Sequence, residues 1–119
     1  MSTFLVATDF SEHADRALAH ACALAKLLSA RVELFSSAYI PPYLVAAVAT
    51  GMSPNWLQEA RDQASHQLDA LAARLAAEGV AVTTSSSTEE PATAICARSD
   101  EIAADLVAMA CLVVAMVAY

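Results

Sequence analysis

Thr3-Phe4-Leu5-Val6-Ala7-Thr8-Asp9-Phe10-Ser11 decides how this chain is read. Phe4 to Ala7 is a continuous apolar run, the pattern of a strand covered on both faces, as in a parallel sheet. Thr8 and Asp9 fall at the carboxyl end of that strand, the edge where open α/β sheets bind ligands. Ser11 is a good N-cap, and Glu12 and Asp15 favour the positive end of the helix that follows. A strand that feeds a helix so abruptly is the first half of a βαβ unit.

Working outward, Ala14, Ala17, Leu18, Ala21, Leu24, Ala25 and Leu28 recur at helical spacing and predict a helix from about Ser11 to Leu28. Ser29-Ala30 closes it, and Val32 to Phe35 makes a second strand. The link is short, so the two strands lie side by side and parallel, with a right-handed crossover. Residues 36–55 form a long irregular piece broken by Pro41-Pro42, Gly51 and Pro54. It leaves the same sheet edge that carries Asp9. A second helix is expected from about Asn55 to Glu78, with Leu57, Ala60, Ala64, Leu68, Leu71, Ala72 and Leu75 inward and Gly79 as its stop.

Val80 to Val82 reads as a third strand that fades into the polar run Thr83 to Thr88. Pro91 suits the first turn of a third helix, behind Glu89 and Glu90. Its inward candidates are Ala94, Ile95, Ala97 and Ile102. Asp105 to Met109 makes a fourth strand, and Cys111 to Ala118 a fifth or a continuation. The alternation predicts an α/β fold: an open parallel sheet of four to five strands with helices on both faces, as one domain over residues 1–119.

Composition excludes several functions. The formal net charge is −7 and apolar residues make up 58%. No basic stripe exists for a phosphate backbone, so nucleic acid is not expected as a partner. The uncharged stretch from Leu106 to Tyr119 is too short for a membrane span, which takes about 20 residues, and no secretory leader is visible. A cytoplasmic protein is expected. Cys22, Cys96 and Cys111 have neither disulfide nor metal spacing and read as buried free thiols. His13, His20 and His66 are scattered, with no nucleophile or acid placed beside them, so no catalytic or metal-binding residue is expected. Glu89-Glu90 reads as helix-start charge, and Tyr43 and Trp56 as plugs that hold the long loop to the sheet.

Together these pieces resemble the universal stress protein family. The matching residues are Phe4-Leu-Val-Ala-Thr-Asp-Phe-Ser11, Ala17-Leu18 through Ala25-Lys26-Leu27, Ala30-Arg-Val-Glu-Leu34, Gly79-Val80-Ala-Val82 and Pro91-Ala-Thr-Ala-Ile95 leading into Ala104-Asp105-Leu-Val-Ala-Met109. The resemblance spans roughly residues 3 to 110. It implies a Rossmann-like three-layer fold of the adenine nucleotide hydrolase type, usually dimeric and cytoplasmic. In members that bind ATP, an aspartate after the first strand contacts adenine, and that position is Asp9. The resemblance implies an adenine-site remnant made of Ala7, Thr8, Asp9, Phe35, Ser36, Met109 and Ala110.

Those members also carry a glycine-rich segment after the fourth strand that wraps ribose and phosphates. Its first glycine falls at Ala110, and the residues after it, Cys111-Leu-Val-Val-Ala-Met-Val-Ala-Tyr119, contain none. The chain therefore resembles a C-terminally truncated, frame-shifted or degenerate member. Phosphate cradles of this kind use backbone N–H groups that only glycine lets approach closely. The expectation is a non-enzymatic, homodimeric stress-response module with no cofactor and no effective ATP binding. The alternative is a module that binds ATP or AMP through Asp9 and the 36–55 loop, with at most weak ATPase activity. The family's final strand meets its mate across a two-fold axis, so the homodimer is expected to form through residues 106–119. A truncated, non-functional relative that keeps its fold by dimerising is the third reading.

Overall fold

The computed structural model describes residues 2–37, 43, 46 and 55–109. In chain order it has β1 (Thr3–Ala7), α1 (Glu12–Leu28), β2 (Arg31–Ser37), α2 (Trp56–Ala77), β3 (Val82–Ser87), α3 (Pro91–Glu101) and β4 (Leu106–Ala108). The strands form one parallel sheet in the order β3-β2-β1-β4. Thr3 pairs with Arg31, Phe4 with Leu106 and Val32 with Val82.

Strand periodicity divides the core in two. Phe4, Val6, Val32 and Leu34 meet Leu18, Ala21 and Ala25 of α1 and Leu68, Leu71 and Leu75 of α2 on one face. Leu5, Ala7 and Phe35 meet Ala94 and Ile95 of α3 on the other. Burying each large apolar side chain contributes roughly 1.5–3 kcal/mol, and this two-sided burial accounts for the continuous apolar run that begins the chain. Local signals set the ends. The Ser11 hydroxyl accepts the Ala14 N–H at 3.2 Å, Gly79 at φ +90° follows α2, and Pro91 begins α3.

The structure shifts several expected positions. β3 is the polar run itself, Val82–Ser87, and not Val80 to Val82. As one of the two outer strands of the described sheet it is held by its ladder to β2, and ladder bonds need no apolar side chains. Cys22 joins the buried stripe of α1, whereas Leu24 and Leu28 are exposed. Ala60 and Ala97 are exposed too, and so is Cys96, which was expected to be buried. The expected fifth strand and Cys111 lie outside the described residues, as does most of the 36–55 loop. No described helix is long and apolar enough to cross a membrane.

One charge sits inside the sheet. Glu33, in β2 between the fully buried Val32 and Leu34, is itself buried. Its carboxylate accepts from Arg98 Nε at 2.6 Å and Nη2 at 2.9 Å, and from the Ser85 hydroxyl at 2.8 Å. Arg98 also holds Glu101 at 2.9 Å. These bonds, the Arg98 guanidinium first, keep the Glu33 carboxyl below the usual glutamate range despite burial. α3 is thereby clamped to β2, and β3 to both.

Arg98→Ala leaves Glu33 buried without its cation. Because Arg98 is a third exposed, the expected cost is about 1–3 kcal/mol, below that of a fully buried pair. A lowered carboxyl pKa stabilises the fold above the unfolded value of about 4.3 and stops doing so as pH falls through the folded value. In urea denaturation, the stability gap between wild type and Glu33→Gln should therefore close as the solution is acidified below that range. A gap that stays constant would overturn the assignment.

Candidate functional site

The carboxyl ends of β1 and β2 open onto a cleft of about 230 Å³. Five of the residues expected at an adenine-site remnant line it: Ala7, Thr8, Asp9, Phe35 and Met109. Ala14 from α1, Ser37 from β2, and Pro91 and Ile95 from α3 complete the wall. Ser36 does not reach it. Side chains alternate along a strand, so Phe35 and Ser37 share the α3 face while Ser36 points to the α1/α2 face. Extending that alternation from Phe35 would have identified Ser37. Ala14, Pro91 and Ile95 come from helices, and only packing brings them here. Ala110 lies outside the described residues.

The cleft floor is part of the core. Ala7 and Phe35 belong to the core cluster under α3, and the Thr8 N–H donates to the Phe35 carbonyl at 2.9 Å. Above the floor the chain reverses tightly. The Thr8 hydroxyl accepts the Phe10 N–H at 3.0 Å, and an Asp9 carboxylate oxygen accepts the Ser11 N–H at 2.9 Å. The turn forces Phe10 to φ 64°, the left-handed region that costs an L residue about 1 kcal/mol. Ser11, through its hydroxyl and its amide, holds the Asp9 carboxyl below the usual aspartate range. Asp9 is therefore an exposed, ionised acceptor at the cleft rim.

The opposite rim is the start of α3. The Glu90 carboxylate accepts from the N–H groups of Ala92 and Thr93 at 3.2 and 3.3 Å and from the Thr93 hydroxyl at 3.0 Å. The Ser37 hydroxyl donates to the Glu89 carbonyl at 2.9 Å and ties the end of β2 to this rim. The two helix N-termini beside the cleft thus have amides bonded to the chain's own oxygens. The described lining contains no Lys, Arg or Gly. The cleft offers apolar walls suited to a flat ring, with one carboxylate at its edge. Among the described residues no three His, Cys, Asp or Glu side chains converge as a metal site would require.

Comparison with known proteins gives a consistent result. The profile of the universal stress protein family matches residues 1–111. A crystal structure of a universal stress protein family member from Burkholderia pseudomallei superposes with a TM-score of 0.72 at 29% identity, covering 97% of this chain and 85% of that one. A universal stress protein solved in complex with cAMP has a TM-score of 0.56 at 25% identity, covering 89% and 69%. UspA from Lactobacillus plantarum, at 18% identity, shares the fold with a TM-score of 0.69, covering 91% and 75%. No curated protein matches the sequence with significance.

Asp9 serves the turn by accepting hydrogen bonds from Ser11, and an amide oxygen can accept them in its place. Asp9→Asn is expected to leave stability nearly unchanged, whereas Ser11→Ala removes the helix cap and should cost about 1 kcal/mol. Thermal denaturation of the two variants checks this. A large loss for Asp9→Asn would mean that the charge itself has an obligatory partner.

Proposed function

Since the chain belongs to the universal stress protein family, we propose that it works as a non-enzymatic binding module of the stress response, cytoplasmic and homodimeric, without effective ATP binding. One observation carries this reading. At the two helix starts beside the cleft the amides of Ser11, Ala14, Ala92 and Thr93 are bonded to Asp9, Ser11 and Glu90, and among the described residues no cation lines the cleft. A triphosphate brought to this edge meets two carboxylates. Catalysis of phosphoryl transfer works by positioning and charge neutralisation, and the described lining supplies no cation for the latter.

A second reading rests on the cleft itself. Its five expected residues do converge, and a related structure holds cAMP. On this reading an adenine ring lies against Phe35, and Asp9 accepts a hydrogen bond from its amine. One polar contact gives little affinity after the cost of association, so the ligand is held weakly and hydrolysis of ATP is at most slow.

The homodimer is proposed through the segment from about Leu106 to Tyr119. β4 ends the described sheet, and its Leu106 and Val107 are 36% and 39% exposed. Leu112, Val113, Val114, Met116 and Val117 follow in sequence. An apolar edge strand invites pairing, and a second copy offers an isologous partner for it.

Two measurements test these proposals. ATP at millimolar concentration should not raise the melting temperature measurably, whereas a saturable rise would favour the nucleotide-binding reading. Light scattering should give twice the chain mass of 12.4 kDa, and a well-folded monomer would sink the dimer.

A further inference from the structure

A second concavity lies on the opposite face of the same sheet edge, between α2 and β3, with a volume of about 540 Å³. The strands beneath it change character together. On the α1/α2 face β2 reads Val32, Leu34, Ser36, and β3 reads Val82, Thr84, Ser86. The register pairs Val32 with Val82, Leu34 with Thr84 and Ser36 with Ser86. Neighbouring strands lie about 4.8 Å apart, so the hydroxyls form one cross-strand patch at the carboxyl half. A helix packed on a sheet normally meets apolar side chains along its whole length. Here the amino half of that face is core and the carboxyl half is a hydroxyl floor.

Ser36 separates this groove from an ordinary solvated edge. It is only 5% exposed, it borders the groove, and its hydroxyl has no hydrogen-bond partner among the described residues. No described side-chain oxygen is sealed from solvent without a partner, so that hydroxyl keeps access to solvent beside the groove that Ser36 lines. An accessible hydroxyl with no protein partner can donate to and accept from a ligand in the groove. α2 supplies the other wall. Arg61, which has no acidic partner within salt-bridge distance among the described residues, and Asp69 are polar, while Ala64 and Leu68 are apolar.

The chemistry selects the ligand. Among the described lining residues one is a cation, Arg61, and two are acidic, Asp69 and Glu89, so a phosphate or carboxylate is disfavoured. Ser and Thr hydroxyls both donate and accept, the guanidinium donates and the carboxylates accept. That set matches a molecule that is itself a string of hydroxyls. Ala64 and Leu68 suit its C–H face. We propose that this groove is a binding site for a neutral polyhydroxylated ligand the size of one or two sugar rings. It is separate from the Asp9 cleft, because Phe35 and Ser36 face opposite sides of the sheet.

Titration of the isotope-labelled full chain with glucose and with maltose, followed by amide NMR, tests this. Saturable shifts are expected at residues 61–69 and 84–88, with residues 7–9 and 91–95 unmoved. Ser36→Val should weaken binding about fivefold, the loss of one ordinary hydrogen bond. Arg61→Ala, an exposed change that leaves the core untouched, should weaken it similarly. The proposal is overturned by an absence of saturable shifts at tens of millimolar sugar. Shifts confined to the Asp9 cleft, sugar binding that survives both substitutions, or tighter binding of inorganic phosphate to the same residues would overturn it equally.

Discussion

Burial of β1 and β2 on both faces is the constraint on which the rest of the molecule depends. Leu5, Val6, Val32 and Leu34 have no exposed surface, and no strand reaches that state unless helices cover the sheet above and below. α1 and α2 cover one face and α3 the other. Glu33 interrupts the apolar pattern, and an isolated carboxylate there would be strongly destabilising. Arg98 answers it from α3 and Ser85 from β3. A single charge in β2 therefore ties one helix and one edge strand to the middle of the sheet.

The same alternation that separates the two cores separates two concavities at the carboxyl edge. Phe35 and Ser37 turn toward α3 and the Asp9 cleft, and Ser36 between them turns toward α2 and the hydroxyl groove. The two sites differ in kind because their covering helices differ. α3 brings apolar Pro91 and Ile95 and a self-capped N-terminus to the cleft. α2 brings Arg61, Ser65 and Asp69 to the groove. The charge around each concavity follows from these neighbours, and a likeness of fold does not decide it.

The order of elements, the parallel pairing and the cleft at the end of β1 were legible in the sequence. Each rests on a local pattern: the two-sided apolar run Phe4 to Ala7, the helical stripe through Ala14, Leu18, Ala21 and Ala25, the Ser11 cap, and the stops at Gly79 and Pro91. β3 was misplaced by two residues because its stability comes from the ladder to β2, which leaves no mark on the side chains of Thr83 to Ser87. Exposure of Leu24 and Leu28 was hidden for a related reason. Helical periodicity selects a face but does not say how far the neighbouring layer extends.

By itself the sequence determined the fold class, the family and the strand-to-helix turn that carries Asp9, because these depend on residues close together in the chain. Only the tertiary structure decided that Glu33 is neutralised by Arg98, that Ser37 and not Ser36 joins the cleft wall with Ile95, and that Ser36 meets a wall containing Arg61 and Asp69. These are meetings between residues far apart in sequence. Sheet register and helix docking set them, and no local pattern encodes either.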